Sequence, residues 1–395
     1  MPVDKRSFET IAVQAGQDAT GSLTRPHAPP IEQTAAYVFE SLGDVDEVLG
    51  GRQPGFMYTR YAGANQAALE EAVAGLEGAE AGLAVASGTA ALLLAIVSAA
   101  PAGSEVLATR DLYGGTLSLL RRQLDRLGYK HRLVDMTDPA GVEREIRADT
   151  RILLAETISN PTMRVFDLDR LAGVSRRHGL VFICDNTFAS PYHCRPLEHG
   201  VDAVVHSATK YLNGHGDVTA GVLLGRADLV AEARKAAIDF GPTLDPFAAW
   251  LARRGLRTLP LRMARQSASA LRVAGFLAAH GRIALVNYPG LPGDPQHALA
   301  TRVLVRGFSG MISFEPRGPA GAAERVIAGL RLIRFVPSLG DVWTTVSHPA
   351  KTSHRSMTAD ERAALDIGDE LIRLSVGLED PADLEGDLER ALERA

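Results

Sequence analysis

Six short, mostly apolar runs punctuate the middle of this 395-residue chain, at 82–86, 105–108, 151–155, 180–184, 203–206 and 221–224. Stretches of helical character lie between most of them, for example 67–76, 117–127 and 168–178. Strands without polar alternation must be buried on both faces, and intervening helices are what covers them. The pattern predicts an α/β fold with a largely parallel sheet, wound on both sides.

The flanks read differently. Residues 1–60 carry Pro26, Pro29, Pro30 and Pro54 with little sustained periodicity, which predicts an extended arm that lies on something else, such as a second subunit. A helix is expected at 228–238 and a long helical region at 250–280, interrupted at Pro260. Strands are expected at 300–305, 311–315 and 373–376, with a helix at 322–330, making a smaller α+β domain. The expected division is an arm at 1–60, a large sheet domain at 61–255 and a small C-terminal domain at 256–395.

Composition narrows the function classes. Net charge is −5 and no Lys/Arg block forms a basic stripe, which argues against a nucleic-acid partner. The longest apolar stretch, 90–100, is too short to span a bilayer, and residues 1–10 lack a signal peptide's apolar core. Two cysteines, Cys184 and Cys194, form no disulfide framework, so a cytoplasmic location is expected. His206 and His215 lack convergent ligands at metal spacing; they are read as structural, and no metal is expected.

A doubly wound sheet binds ligands beyond the carboxyl ends of its strands, and several polar residues fall there. Ser87-Gly88-Thr89 opens a helix directly after a strand, which suits a phosphate or serves as an ordinary N-cap. Asp185 ends a buried strand, either as a turn or cap residue or as the partner of a protonated ring nitrogen. Ser207 and Thr209 alternate around Ala208, so in extended geometry both hydroxyls face one side, and Lys210 follows. A lone lysine is ordinarily a solvated surface residue. One emerging from a buried strand is desolvated, which depresses its pKa and makes it a nucleophile toward an aldehyde.

The stretch HSATKYLNGHGD (206–217) resembles the signature of the Cys/Met-metabolism pyridoxal-phosphate enzymes. The likeness continues in order through YTRY (58–61), LEG (76–78), ASG (86–88), RDLYGGT (110–116), ETISNPTMRV (156–165), DNTFASP (185–191), SLGD (338–341), HPA (348–350) and RLSVGLED (373–380). It implies an aspartate-aminotransferase-like fold (fold type I) whose large domain binds pyridoxal 5'-phosphate. It also implies a homotetramer built of dimers with shared active sites.

Residue roles follow from the same resemblance. Lys210 would hold the cofactor through its amine and move protons between substrate carbons, and Asp185 would keep the pyridine nitrogen protonated. Tyr113 would stack on the ring and assist proton transfer. Gly88, Thr89, Ser207 and Thr209 would hold the phosphate, with Tyr58 and Arg60 reaching it from a neighbouring subunit. Asn160 would contact the phenolic oxygen; Arg373, helped by the Ser338 region, would bind the substrate carboxylate. Taken singly, Tyr58, Arg60, Tyr113 and Arg373 also read as packing aromatics and surface or ion-paired charges.

Some positions depart from the family's pattern. Residues 62–65 read Ala-Gly-Ala-Asn where many relatives have Gly-Asn-Pro-Thr, Thr89 replaces a usual methionine, and Gly216 replaces a frequent serine. Gly115 stands where methionine γ-lyases carry cysteine, which weighs against a methionine-specific lyase. Trp343 stands where cystathionine-processing relatives commonly have glutamate. Either it lines the pocket, where it cannot accept an ammonium's hydrogen bonds, or it faces away. The implied reaction is γ-elimination of a sulfur amino acid (methionine, homocysteine or cystathionine), giving a 2-oxo acid, ammonia and a thiol. The alternative is γ-replacement on an O-acylhomoserine, of the cystathionine γ-synthase or O-acylhomoserine sulfhydrylase type. A non-catalytic relative and a transaminase are the less favoured readings.

Overall fold

The computed structural model describes residues 6–16 and 26–395. A seven-stranded sheet contains β1 (Ala81–Val85), β2 (Glu105–Thr109), β3 (Lys130–Val134), β4 (Thr150–Glu156), β5 (Val181–Asp185), β6 (Ala203–Ser207) and β7 (Gly221–Gly225). Its order is β1-β7-β6-β5-β4-β2-β3, and β7 alone runs against the rest. All six expected strands are present within one or two residues. The edge strand β3 was not foreseen, because its sequence KHRLV carries two cations and a histidine.

Successive residues of each strand feed opposite cores, as the two-residue repeat requires. Leu107, Leu153, Phe182, Cys184 and Val204 pack into one; Val106, Ile152, Leu154, Ile183 and Val205 pack into the other. Each such side chain contributes about 1.5–3 kcal/mol through burial, which is why the strands carry no polar face. Helices Ala64–Glu77 and Leu168–His178 are on the first side; Gly88–Ala99 and Ala227–Phe240 are on the second.

A second sheet comprises β8 (Ile283–Asn287), β9 (Met311–Pro316), β10 (Arg334–Phe335), β11 (Thr345–Ser347) and β12 (Ile372–Ser375), in the order β10-β11-β12-β9-β8. In β12, Ile372 and Leu374 enter this unit's core while Arg373 and Ser375 take the other face. The expected helical region at 250–280 is two helices, Pro246–Leu256 and Leu259–Ala279, with Pro260 in the first turn of the second. There proline's missing N–H costs nothing. The strand expected at 300–305 is instead a helix, His297–Val303. Six residues of mixed polarity fit either period, and packing of Ala300 and Val303 against the large core decides for the helix.

Of the arm expected over 1–60, residues 1–5 and 17–25 lie outside the described residues. Helix Phe8–Gln14 buries Phe8, Ile11 and Ala12 in the chain's own core. Beyond residue 26 the arm is mostly exposed, with Val38 99% and Leu42 85% exposed. Among the described residues no helix is long and apolar enough to cross a membrane.

One close approach joins sheet to site. A Cβ at Gly221 would fall 2.1 Å from the Ser87 carbonyl oxygen, so β7 and the start of helix Gly88–Ala99 meet only through a glycine. Gly221→Ala is therefore expected to cost about 1–3 kcal/mol by overpacking. Urea unfolding measures it, and unchanged stability would contradict this packing.

Candidate active site

The carboxyl ends of β1, β2, β4, β5 and β6 open on one cavity of about 570 Å³, closed from the other side by residues 337–339, 351–355 and Arg373. Ten of the twelve site residues expected from sequence line it: Gly88, Thr89, Tyr113, Asn160, Asp185, Ser207, Thr209, Lys210, Ser338 and Arg373. Tyr58 and Arg60 do not. They line a separate cavity with Thr243 and Leu244, where the Arg60 guanidinium lies 5.6 Å from the Tyr58 ring centroid and donates to the Ile238 carbonyl oxygen.

The glycine-led helix start is both cap and anion site. Ser87 Oγ accepts from the Ala90 amide at 3.2 Å and the Ser87 carbonyl oxygen accepts from Ala91. That leaves the Gly88 and Thr89 amides as the helix's open donors. A Cβ at Gly88 would fall 2.8 Å from Ser207 Cβ, so the glycine brings those amides beside the Ser207 hydroxyl. The extended alternation expected through Thr209 stops at Ser207. The Lys210 amide donates to the Ser207 carbonyl oxygen at 3.1 Å, closing a turn, and Thr209 Oγ1 is shared with the Ala220 backbone. Ser207 Oγ makes no hydrogen bond to the described residues; Thr209 lines the cavity but is already partnered.

Lys210 emerges from that turn half-buried, and its Nζ donates to Ser338 Oγ at 3.0 Å. Burial, and secondarily the Arg373 charge, pull its pKa down to about 8. Arg373 is 4% exposed, and its partners are neutral: Asn160 Oδ1 at 2.9 Å and the Ser338 carbonyl oxygen at 3.3 Å, with Nε unpartnered. Its own pKa falls to about 10 through burial. Among the described residues neither cation has a carboxylate in ion-pair contact. A buried guanidinium without a counter-ion is strongly disfavoured, so the cavity is built for an anion.

Asp185 Oδ1 accepts from the Thr187 amide at 2.9 Å, and its other oxygen is left to the cavity. Burial raises its pKa; the Thr187 hydrogen bonds and the His206 charge oppose the rise. Behind it, His206 Nε2 meets Glu77 Oε1 at 2.5 Å in a fully buried contact. His215 Nδ1 lies 2.8 Å from the Asn213 carbonyl oxygen. Among the described residues no group of three His, Cys, Asp or Glu side chains could hold a metal ion. Trp343 is 47% exposed, stacks under Arg334 at 3.4 Å and is absent from the cavity lining, so it faces away.

Two residues that the sequence reading did not single out belong to the site. Thr187 ties Asp185 to Ser207, because its Oγ1 accepts from the Ser207 amide at 2.8 Å. Glu156 ends β4, lines the cavity and stands in register with Asp185. Both lay inside recognised motifs, but an acid and a hydroxyl among many offered no separate signal.

The residues suit pyridoxal phosphate on these observations. Open amides and a free hydroxyl would hold a phosphate, a carboxylate oxygen would be available to a ring nitrogen, and a desolvated amine would be available to an aldehyde.

The sequence matches the family described as Cys/Met metabolism PLP-dependent enzyme over residues 9–393. It is 39% identical over 394 residues to an L-methionine gamma-lyase of Porphyromonas gingivalis, covering 98% of each chain. It is 39% identical over 386 residues to an O-succinylhomoserine sulfhydrylase of Pseudomonas aeruginosa, covering 98% of this chain and 95% of that one. A solved structure of a putative O-acetylhomoserine (thiol)-lyase from Campylobacter jejuni, which carries a pyridoxyl-lysine monophosphate, superposes with a TM-score of 0.93. That match has 32% identity and covers 98% of this chain and all of the other.

The lowered pKa of Lys210 has a kinetic sign. With a pKa of about 8, roughly a tenth of the amine is neutral at pH 7, against about 0.03% for an unshifted lysine. Capture of added pyridoxal phosphate by cofactor-stripped protein should accelerate about tenfold per pH unit up to pH 8 and then level off. Stopped-flow absorbance measures this, and a rise continuing to pH 10 would contradict the assignment.

Proposed function

The chain belongs to the Cys/Met-metabolism pyridoxal-phosphate-dependent enzymes, and on that footing we propose that it catalyses γ-elimination of a sulfur amino acid. The supporting observation is that Lys210 and Arg373, both unneutralised, share Ser338. A nucleophilic amine and a carboxylate receptor within one residue's reach form a receptor for an amino acid.

When bound, pyridoxal phosphate supplies an aldehyde for the amine and an electron-withdrawing ring that stabilises negative charge at the substrate's Cα. The Arg373 guanidinium binds and orients the substrate carboxylate, replacing its neutral partners with a charge-assisted pair. Asp185 holds a proton on the ring nitrogen. Lys210, as a neutral amine, removes the Cα proton; it would return that proton to the bound cofactor and, neutral again, remove a Cβ proton. Tyr113 delivers a proton to the departing γ-sulfur as the Cγ–S bond breaks. Hydrolysis completes the balance: substrate and water give a 2-oxo acid, ammonia and a thiol.

Tyr58 and Arg60 enter this scheme from a neighbouring subunit, in a homotetramer of site-sharing dimers. Support comes from their placement in a separate cavity and from the exposed apolar residues Val38 and Leu42 on the same arm. The two buried free cysteines support a cytoplasmic setting.

A second reading, γ-replacement on an O-acylhomoserine, is favoured by the cavity rim. Lys351 and Arg355 line it, and Arg355 has no ion pair among the described residues, so a γ-substituent ending in a carboxylate would find a cation there.

Three outcomes test these readings. Methionine, homocysteine or cystathionine should yield a 2-oxo acid without added thiol. If none does, while an O-acylhomoserine is consumed only with thiol, replacement is the reaction. Arg373→Ala should lower kcat/KM by roughly 30- to 1000-fold, as expected for a buried charge contact worth about 2–4 kcal/mol. Arg355→Glu should lower kcat/KM for O-succinyl-L-homoserine about tenfold and leave methionine within about threefold, the scale of a rim charge. Equal effects on both substrates would remove Arg355 from the recognition scheme.

A further inference from the structure

Tyr113 is the least anchored of the cavity's expected catalytic groups. Its ring is 44% exposed and makes no ring contact or hydroxyl hydrogen bond with the described residues. What holds it is the backbone around it. Glu156 Oε1 accepts the Tyr113 amide proton at 2.6 Å. A Cβ at Gly114 would fall 1.8 Å from the Ser353 carbonyl oxygen, so the next residue is pressed against the loop that closes the cavity. His354 Nε2 lies 3.3 Å from the Leu112 carbonyl oxygen on the preceding side. Under the ring, a Cβ at Gly115 would fall 2.3 Å from Tyr113 Cε1 and 2.9 Å from Cζ. The ring therefore rests on a bare backbone.

We propose that Glu156 is a positioning residue that seats Tyr113 against the cofactor, with Gly115 as the seat's floor. The proposal rests on the pyridoxal-phosphate reading above and gives it a residue that acts through Tyr113. Glu156 is 5% exposed, and its second oxygen makes no hydrogen bond to the described residues. Burial, followed by the neighbouring Asp185 charge, pushes its pKa well up and favours the protonated form. A glutamine amide offers the same acceptor oxygen, so Glu156→Gln should preserve the seat where Glu156→Ala destroys it.

The test is a double-mutant cycle on the holoenzyme, read as the rate of cofactor release under hydroxylamine challenge and as kcat/KM. Glu156→Ala should speed release at least tenfold and Glu156→Gln less than threefold. In a Tyr113→Ala background, Glu156→Ala should add less than threefold, because the ring it positions is gone. Gly115→Ala, which places a methyl where the ring lies, should reproduce the Glu156→Ala effect and decides the matter if that variant does not fold. Additive losses in the cycle, or a silent Gly115→Ala, would overturn the role given to Glu156. A wild-type protein that takes up no pyridoxal phosphate would instead overturn the underlying reading.

Discussion

Two positive charges, Lys210 and Arg373, are held in one partly enclosed cavity without a carboxylate against either. Folding alone gives no return for this arrangement, since desolvating a cation is costly unless an anion compensates it. The compensation must come from a ligand that carries negative charge. An amino-acid carboxylate and a cofactor phosphate both qualify, and the open amides of Gly88 and Thr89 suit the second. The depressed pKa of Lys210 is a consequence of the same electrostatics, and it is what makes the amine reactive near neutral pH.

The fold exists to hold that arrangement still. Parallel strands end together, so residues far apart in sequence, such as Gly88, Glu156, Asp185 and Ser207, reach one cavity from one edge of one sheet. The second sheet contributes Arg373 from its polar face, with Ile372 and Leu374 anchoring the strand in its own core. Ser338 joins the two units chemically, because its hydroxyl meets Lys210 and its carbonyl oxygen meets Arg373. Hydrogen bonds through Thr187 link Asp185 to Ser207 across neighbouring strands, so the two ends of a bound ring would be held in one frame.

Much of this was legible in the sequence for a physical reason: buried parallel strands are written as apolar runs, and the polar residues ending them stand out. The six central strands and helix Leu168–His178 follow from that contrast. Lys210 and Asp185 do as well. What failed did so where the contrast fades. Edge strand β3 is half polar, and the segment at 300–305 has too few residues to separate a strand period from a helical one. Thr209 was placed by extending strand geometry beyond the residue where a turn begins. Glu156 escaped because it meets the site through a backbone contact to Tyr113, 43 positions away, which no local pattern records. Trp343 could be placed only by seeing Arg334 stacked on it.

The central claim is that the Lys210 amine, and no other, carries the cofactor. Borohydride reduction of the purified holoenzyme followed by peptide mass spectrometry tests it most directly. A pyridoxyl-phosphate adduct confined to the peptide containing Lys210 is the predicted result. An adduct on another lysine, or none on a protein that has taken up the cofactor, would contradict the account.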